Sequence, residues 1–201
     1  MIKSNVTVCA VINRAATVKE GKENGTFISF SLNLSVKGRH GSEMPLEISV
    51  SADGDKSSAS IYTQGRRVLV KGTLSLRKRG DKTYFNLRAD SIDLVKTNES
   101  DKIEGDFHFK GKISKKGVED ITDSKGNPYQ AFSAFSSDRD GDNVEFIWIR
   151  FLNFHPVHED YMKPQAYVEV KGKLQLGVYK EALSIDCLVD EITPWELSHR
   201  S

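Results

Sequence analysis

Of the residue types that organise metal sites, disulfide scaffolds and tight turns, the chain holds little: two cysteines, five histidines and five prolines in 201 residues. Cys9 and Cys187 lie far apart in apolar, alternating stretches and match no metal or redox spacing, so both read as small buried hydrophobes. His155 and His158 form a pair without a third ligand at a usual spacing, and His40, His108 and His199 stand alone, which leaves solvated loop histidines. No run approaches the ~20 apolar residues of a membrane-spanning helix. The first residues, Met1-Ile2-Lys3-Ser4-Asn5, lack the apolar region of a signal peptide, which sets a cytoplasmic location as the expectation. Asp138-Arg139-Asp140-Gly141-Asp142 lacks the closing glutamate of a calcium loop and reads as a hairpin turn. No phosphate-binding glycine loop and no Ser/His/Asp ordering stands out. The expectation is a protein without metal, cofactor or catalytic centre.

Charge of one sign is also missing overall, since the formal net charge is +1. The balance hides an asymmetry. Residues 1–100 hold 16 Lys/Arg against 10 Asp/Glu, and residues 101–201 hold 13 against 18. Hydrophobic residues at 38% and charged residues at 28% are enough to bury a core.

The chain repeats itself. Arg67-Val68-Leu69-Val70-Lys71-Gly72-Thr73-Leu74-Ser75-Leu76 recurs at an offset of 100 as Tyr167-Val168-Glu169-Val170-Lys171-Gly172-Lys173-Leu174-Gln175-Leu176. Phe85, Leu87, Ala89 and Ile92 find counterparts in Ile185, Cys187, Val189 and Ile192, and Val8 and Ile12 in Phe109 and Ile113. Such self-similarity implies two copies of one domain. The boundaries expected are 1–97 for the first domain, 98–106 for a polar linker, 107–195 for the second domain and 196–201 for a short tail.

Within each copy the pattern is short alternating strands separated by turn signals. Strands are expected near 4–14, 26–36, 45–51, 67–78 and 83–95, then near 107–115, 129–137, 144–154, 166–177 and 182–193. The one helix candidate lies near 57–64. Its counterpart at 155–163 is broken by Pro156 and Pro164. Five strands with a helical segment between the third and fourth is the plan of the OB-fold, a small Greek-key barrel. The fold class expected is all-β: two tandem OB-fold barrels, each with at most one short helix. Gly72 and Gly172 sit mid-strand, where a barrel bends sharply. Val68, Val70, Leu74 and Leu76, with Val168, Val170, Leu174 and Leu176, are the expected core.

The stretch Glu145-Phe146-Ile147-Trp148-Ile149-Arg150-Phe151-Leu152-Asn153-Phe154 is rich in aromatic and β-branched residues and reads as a strand. Alternation puts Ile147, Ile149 and Phe151 on one face and Phe146, Trp148, Arg150, Leu152 and Phe154 on the other. Rings interleaved with a cation suit nucleobases and phosphate. A strand buried on both sides, with Trp148 filling a core, is the other reading. The equivalent strand of copy one presents Glu47, Ser49 and Ser51, which neither stack on bases nor attract phosphate. Copy one instead carries a basic hairpin, with Arg77, Lys78, Arg79 and Lys82 at the turn where OB-folds grip strands, and Tyr84 facing outward beside it.

These features resemble the bacterial single-stranded DNA-binding protein family. Trp148-x-Arg150-x-Leu152-x-Phe154 is similar to that family's third-strand W-x-R-x-V-x-F, and Phe30-Ser31-Leu32 to its strand-two F-S-L. Tyr161-Met162-Lys163 followed by Val168-Glu169-Val170-Lys171-Gly172-Lys173-Leu174 resembles a further family run. The resemblance implies base stacking by Trp148 and Phe154, a phosphate contact from Arg150, and a further stacking ring at Tyr179 in the hairpin of copy two. It implies non-catalytic binding of single-stranded DNA with little sequence preference, in replication, repair or recombination, with RNA as an open second ligand. The family forms four-barrel assemblies, so a tandem chain implies a homodimer. Its long glycine-rich tail with an acidic tip has no counterpart in residues 193–201. The rival reading is an interaction module whose aromatic face is an oligomer or partner interface.

Overall fold

The computed structural model describes residues 2–21, 25–38, 41–140 and 143–196, and for 139 and 140 the backbone alone. Residues 1, 22–24, 39–40, 141–142 and 197–201 lie outside them. Ten strands and one short helix follow in order. The first copy contains β1 (Ile2–Glu20), β2 (Thr26–Lys37), β3 (Glu43–Asp53), α1 (Lys56–Ile61), β4 (Arg67–Arg79) and β5 (Lys82–Leu94). The second contains β6 (Lys102–Thr122), β7 (Pro128–Asp140), β8 (Asn143–Asn153), β9 (Tyr167–Tyr179) and β10 (Ala182–Pro194).

Each copy closes on itself in the same way. β1 pairs antiparallel with β2, β2 with β3 and β4 with β5, while β3 and β5 run parallel and β4 returns to β1. The second copy repeats the circuit through β6, β7, β8, β10 and β9, with β8 and β10 parallel. These are two OB-fold barrels, and closure pairs most of the edges that open sheets leave exposed. The long first strand makes closure possible by serving two neighbours. β1 pairs with β4 over Lys3–Val11, then shifts register and pairs with β2 out to Glu20.

Gly72 and Gly172 mark the corners. A Cβ at Gly72 would lie 2.1 Å from the carbonyl oxygen of Arg88, and one at Gly172 2.0 Å from that of Leu188. Opposite them the partner strands bulge: Gly72 faces Ala89 while Lys71 faces Ser91, and Gly172 faces Val189 while Lys171 faces Glu191. Asp90 and Asp190 are the extra residues, and the tighter bend needs the missing side chains.

Alternation fills both interiors. Val68, Val70, Leu74 and Leu76 are buried, as are Val168, Val170 and Leu174. Leu176 was expected with them but is half-buried, because it packs against the core from the side and also lines the cleft beside Arg150 and Tyr179. Cys9 and Cys187 are both buried free thiols, and burial pushes the Cys187 thiol up to about 12. In copy one, Asp55 caps α1 by accepting from the Ser58 backbone N–H at 3.0 Å. Copy two has no helix at the corresponding place. The loop after β8 is held by the buried Gln130, whose amide donates to the Val157 carbonyl at 3.0 Å and accepts from the Val157 N–H at 2.9 Å.

The polar stretch 98–106, expected as a linker between separate domains, is engaged rather than open. Asp101 accepts from the Ser35 N–H at 2.8 Å and from Arg67 Nη1 at 2.5 Å, fixing it to the first barrel. From Lys102 the chain is already strand, and β6 pairs antiparallel with β1 from Ile2↔Phe109 to Cys9↔Lys102. Asn5 faces Asp106, its counterpart in the repeat, so the two barrels are related by an approximate two-fold axis through that pair. The result is one ten-stranded sheet running through both barrels.

Two expected outcomes follow for stability. Gln130→Ala strips both backbone groups of Val157 of their partner and is expected to cost about 2–3 kcal/mol, read as a lower urea midpoint. The two-residue turn Lys180-Glu181 holds both residues left-handed, at φ 48° and 62°. Such turns favour Asn-Gly, so Lys180→Asn with Glu181→Gly is expected to raise the urea midpoint, by about 1 kcal/mol.

Candidate nucleic-acid interface

β8 alternates as its sequence predicts. Ile147, Ile149 and Phe151 point into the second barrel and are buried, while Phe146, Trp148 and Arg150 point outward. Trp148 and Phe154 are each 51% exposed and Phe146 is 43% exposed. This face is therefore solvent-facing, and Trp148 does not fill a core. Large rings left in water forgo burial that would be worth ~1.5–3 kcal/mol each, so a contiguous row of them is costly to leave exposed.

The rings form two groups separated by the arginine. Phe135 on β7 lies opposite Trp148 in the ladder and touches both Trp148, with centroids 4.9 Å apart, and Phe146, at 5.2 Å. At the other end Tyr129 stacks on Phe154 at 5.5 Å and 28°. Arg150 sits between the groups opposite Ser133, and among the described residues no carboxylate pairs with it. Phe135 and Tyr129 were not among the residues expected from sequence. The alternation that buries Phe132 and Ala134 turns Tyr129, Ala131, Ser133 and Phe135 outward, so the signal was present in β7. From Trp148 to Phe154 the row extends ~20 Å at ~3.3 Å per residue.

Tyr179 enters the same surface from the side. It is 61% exposed at the end of β9, with the Lys180 ammonium 5.4 Å from its ring centre. A cleft of about 330 Å³ runs between Arg150 and Leu152 on one side and Tyr179 on the other, bordered by Lys37 of the first barrel and by Asp186. Asp186 is the ladder neighbour of Arg150 and accepts from Ser184, so the cleft is not uniformly cationic.

The basic hairpin of copy one is brought to the other end of the row. The Gly80 N–H donates to Glu145 Oε1 at 3.2 Å, next to Phe146, and Arg77 approaches Asp138 at 4.0 Å. Arg77, Arg79, Lys82 and Tyr84 share one face of the hairpin, since Arg77 pairs with Tyr84 and Arg79 with Lys82. Tyr84 is exposed on that face. Lys78 pairs with Thr83 on the opposite face and is half-buried, so it stands apart from the other cations.

Copy one presents a different chemistry at the corresponding positions. Glu47, Ser49 and Ser51 face outward on β3, as expected. Glu47 pairs with Arg14, and Asp53 pairs with Arg88 at 2.7 Å. The arginines of that face are thus matched by carboxylates of the same face. Among the described residues no group of three His, Cys, Asp or Glu side chains could hold a metal ion, and no helix is long and apolar enough to cross a membrane.

Fold and surface together define a tandem OB-fold protein with an aromatic face on its second barrel. Solved structures that resemble its fold include two of the single-stranded DNA binding protein from Thermus aquaticus. A deletion variant of that protein aligns over 98% of both chains at 12% identity and a TM-score of 0.51. The wild type aligns over 96% of this chain and 93% of its own at 10% identity and the same TM-score. At these identities the likeness establishes the shared fold. By sequence the chain matches no family model and no curated protein.

Proposed function

We propose that the chain binds single-stranded DNA, without catalysis and with little sequence preference. Bases stack on Trp148, Phe154 and Tyr179, with Phe146, Phe135 and Tyr129 extending the platform. Phosphates meet Arg150 and the Arg77, Arg79 and Lys82 side of the first-barrel hairpin, with Tyr84 beside them; Lys78 serves at most from the hairpin's far face. The observation that carries this reading is the outward row of rings divided by an arginine that no carboxylate pairs with among the described residues. Every base has a π-face, so stacking of this kind tolerates sequence. The Thermus proteins that share the fold are single-stranded DNA binding proteins by name, which supports the same ligand class. Single-stranded RNA is the natural competitor in any assay. Service in replication, repair or recombination, a cytoplasmic setting and a homodimer of four barrels complete the proposal.

The acidity of copy two is compatible with it, because several carboxylates are spent on neighbouring groups. Glu119 pairs with Lys116, Glu191 with Lys171 and Asp106 with Lys173, so part of that negative charge is neutralised locally.

Titration with oligo(dT), followed by intrinsic tryptophan emission, is expected to show quenching that weakens with salt. Trp148→Ala and Phe154→Ala should each weaken binding by ~1–3 kcal/mol. Arg150→Ala should lower the salt slope by ~0.7, the loss of one phosphate contact. Sedimentation of the Trp148→Ala, Phe154→Ala double variant separates this reading from the rival one. Lost binding with an unaltered oligomer supports the strand-binding face, whereas a broken oligomer with intact binding makes the face an assembly surface.

A further inference from the structure

A second group of rings and cations lies on the opposite side of barrel two, where β6 pairs with β9. Tyr167 points outward at the start of β9, and the ammonium of Lys112, its ladder partner, sits 5.3 Å from the ring centre. Trp195 meets Tyr167 edge to face with centroids 5.8 Å apart. Its backbone N–H donates to the Tyr167 carbonyl at 3.0 Å, which holds this residue against the start of β9. The indole forms one wall of a cleft of about 400 Å³ whose other walls are Lys3, His108 and Lys110. Lys3 comes from β1 and faces His108 across the inter-barrel ladder, so both barrels contribute.

The charge of this patch runs against the acidity of the copy around it. Glu169 accepts from Lys110 at 3.0 Å and from His108 Nε2 at 2.6 Å, and those two contacts, Lys110 first, hold its carboxyl below the usual range. Lys3 and Lys112 make no ion pair among the described residues. Farther along the same face the cations are matched one to one, with Lys173 on Asp106 and Lys171 on Glu191. The positive excess is therefore concentrated beside the rings. An indole and a phenol beside the Lys3 and Lys112 ammonium groups complement a base and its adjoining phosphates.

We propose that this patch is a second seat for single-stranded nucleic acid, with a base against Trp195 and phosphates on Lys3, Lys110 and Lys112. It shares its ligand class with the function proposed above but uses none of the same residues. A strand that occupies both seats passes around the second barrel.

The chain has two tryptophans, one at each seat, which allows each to be read alone. Trp148→Phe leaves Trp195 as the sole indole and keeps a stacking ring on β8; Trp195→Phe does the reverse. Both full-length variants are titrated with a long oligo(dT). The expected result is salt-sensitive quenching of Trp195 in the Trp148→Phe chain. Adding Lys110→Ala and Lys112→Ala, both surface changes, should abolish that quenching and lower the salt slope by about 0.7 per contact. Unchanged Trp195 emission at saturation, while Trp148 responds in the companion variant, overturns the second seat. Emission that follows protein concentration instead of DNA also overturns it and makes the face a contact between copies. Quenching of Trp195 with a silent Trp148 leaves this seat standing and removes the β8 platform instead. Silence at both removes both.

Discussion

The ladder between β1 and β6 is the constraint on which the rest of the molecule depends. Each strand is already committed within its own barrel, and the free side of each is a row of backbone donors and acceptors that must be paired. Pairing the two rows closes the last edge of both barrels at once. Gly105 makes the approach possible, since a Cβ there would lie 2.1 Å from the Asn5 carbonyl oxygen. The Ser4 hydroxyl adds a hydrogen bond to the Asp106 carbonyl. The approximate two-fold axis at Asn5 and Asp106 then decides everything at longer range. It carries the β4–β5 hairpin of the first copy to the end of β8, and the β9–β10 hairpin of the second copy to the end of β2. There a Cβ at Gly38 would come within 2.8 Å of Val178 Cβ.

Two-fold placement with unequal sequences gives the surface its character. Equivalent positions on β3 and β8 carry Glu47, Ser49 and Ser51 in one copy, and Trp148, Arg150 and Leu152 in the other. The first copy keeps its cations at the hairpin and satisfies the arginines of its open face internally, through Arg14 with Glu47 and Arg88 with Asp53. The exposed rings and the basic hairpin therefore meet only because the two copies are docked, with Gly80 against Glu145 as the point of contact.

Much of this was legible in the sequence because the period-two signal is strong where one side of a strand is buried. The barrel circuit, the core valines and the outward row on β8 all follow from it. Phe135 and Tyr129 are less legible because β7 sets them among Ala131 and Ser133 on its outward side, although its own alternation carries the information. The stretch 98–106 escaped for a different reason. Lys102, Glu104 and Asp106 face solvent while Ile103 and Gly105 turn toward the other side, so a half-exposed strand has the composition of a loop. Lys78 was grouped with its neighbours by proximity in the chain, but the pleat sets it on the other face. The docking of hairpin on barrel had no sequence signal at all, since it arises from the axis and not from any local pattern.

The covalent link between the barrels has a consequence for how the assembly responds to dilution. In a pair built from two chains, the shared ladder competes with loss of translational freedom, and scarce protein drifts apart. Here the second barrel is tethered at a fixed effective concentration, and Asp101 shortens the tether by pinning it to β2 and β4. The docked arrangement is thus a property of each molecule, retained at copy numbers where a two-chain equivalent would exist mostly as halves.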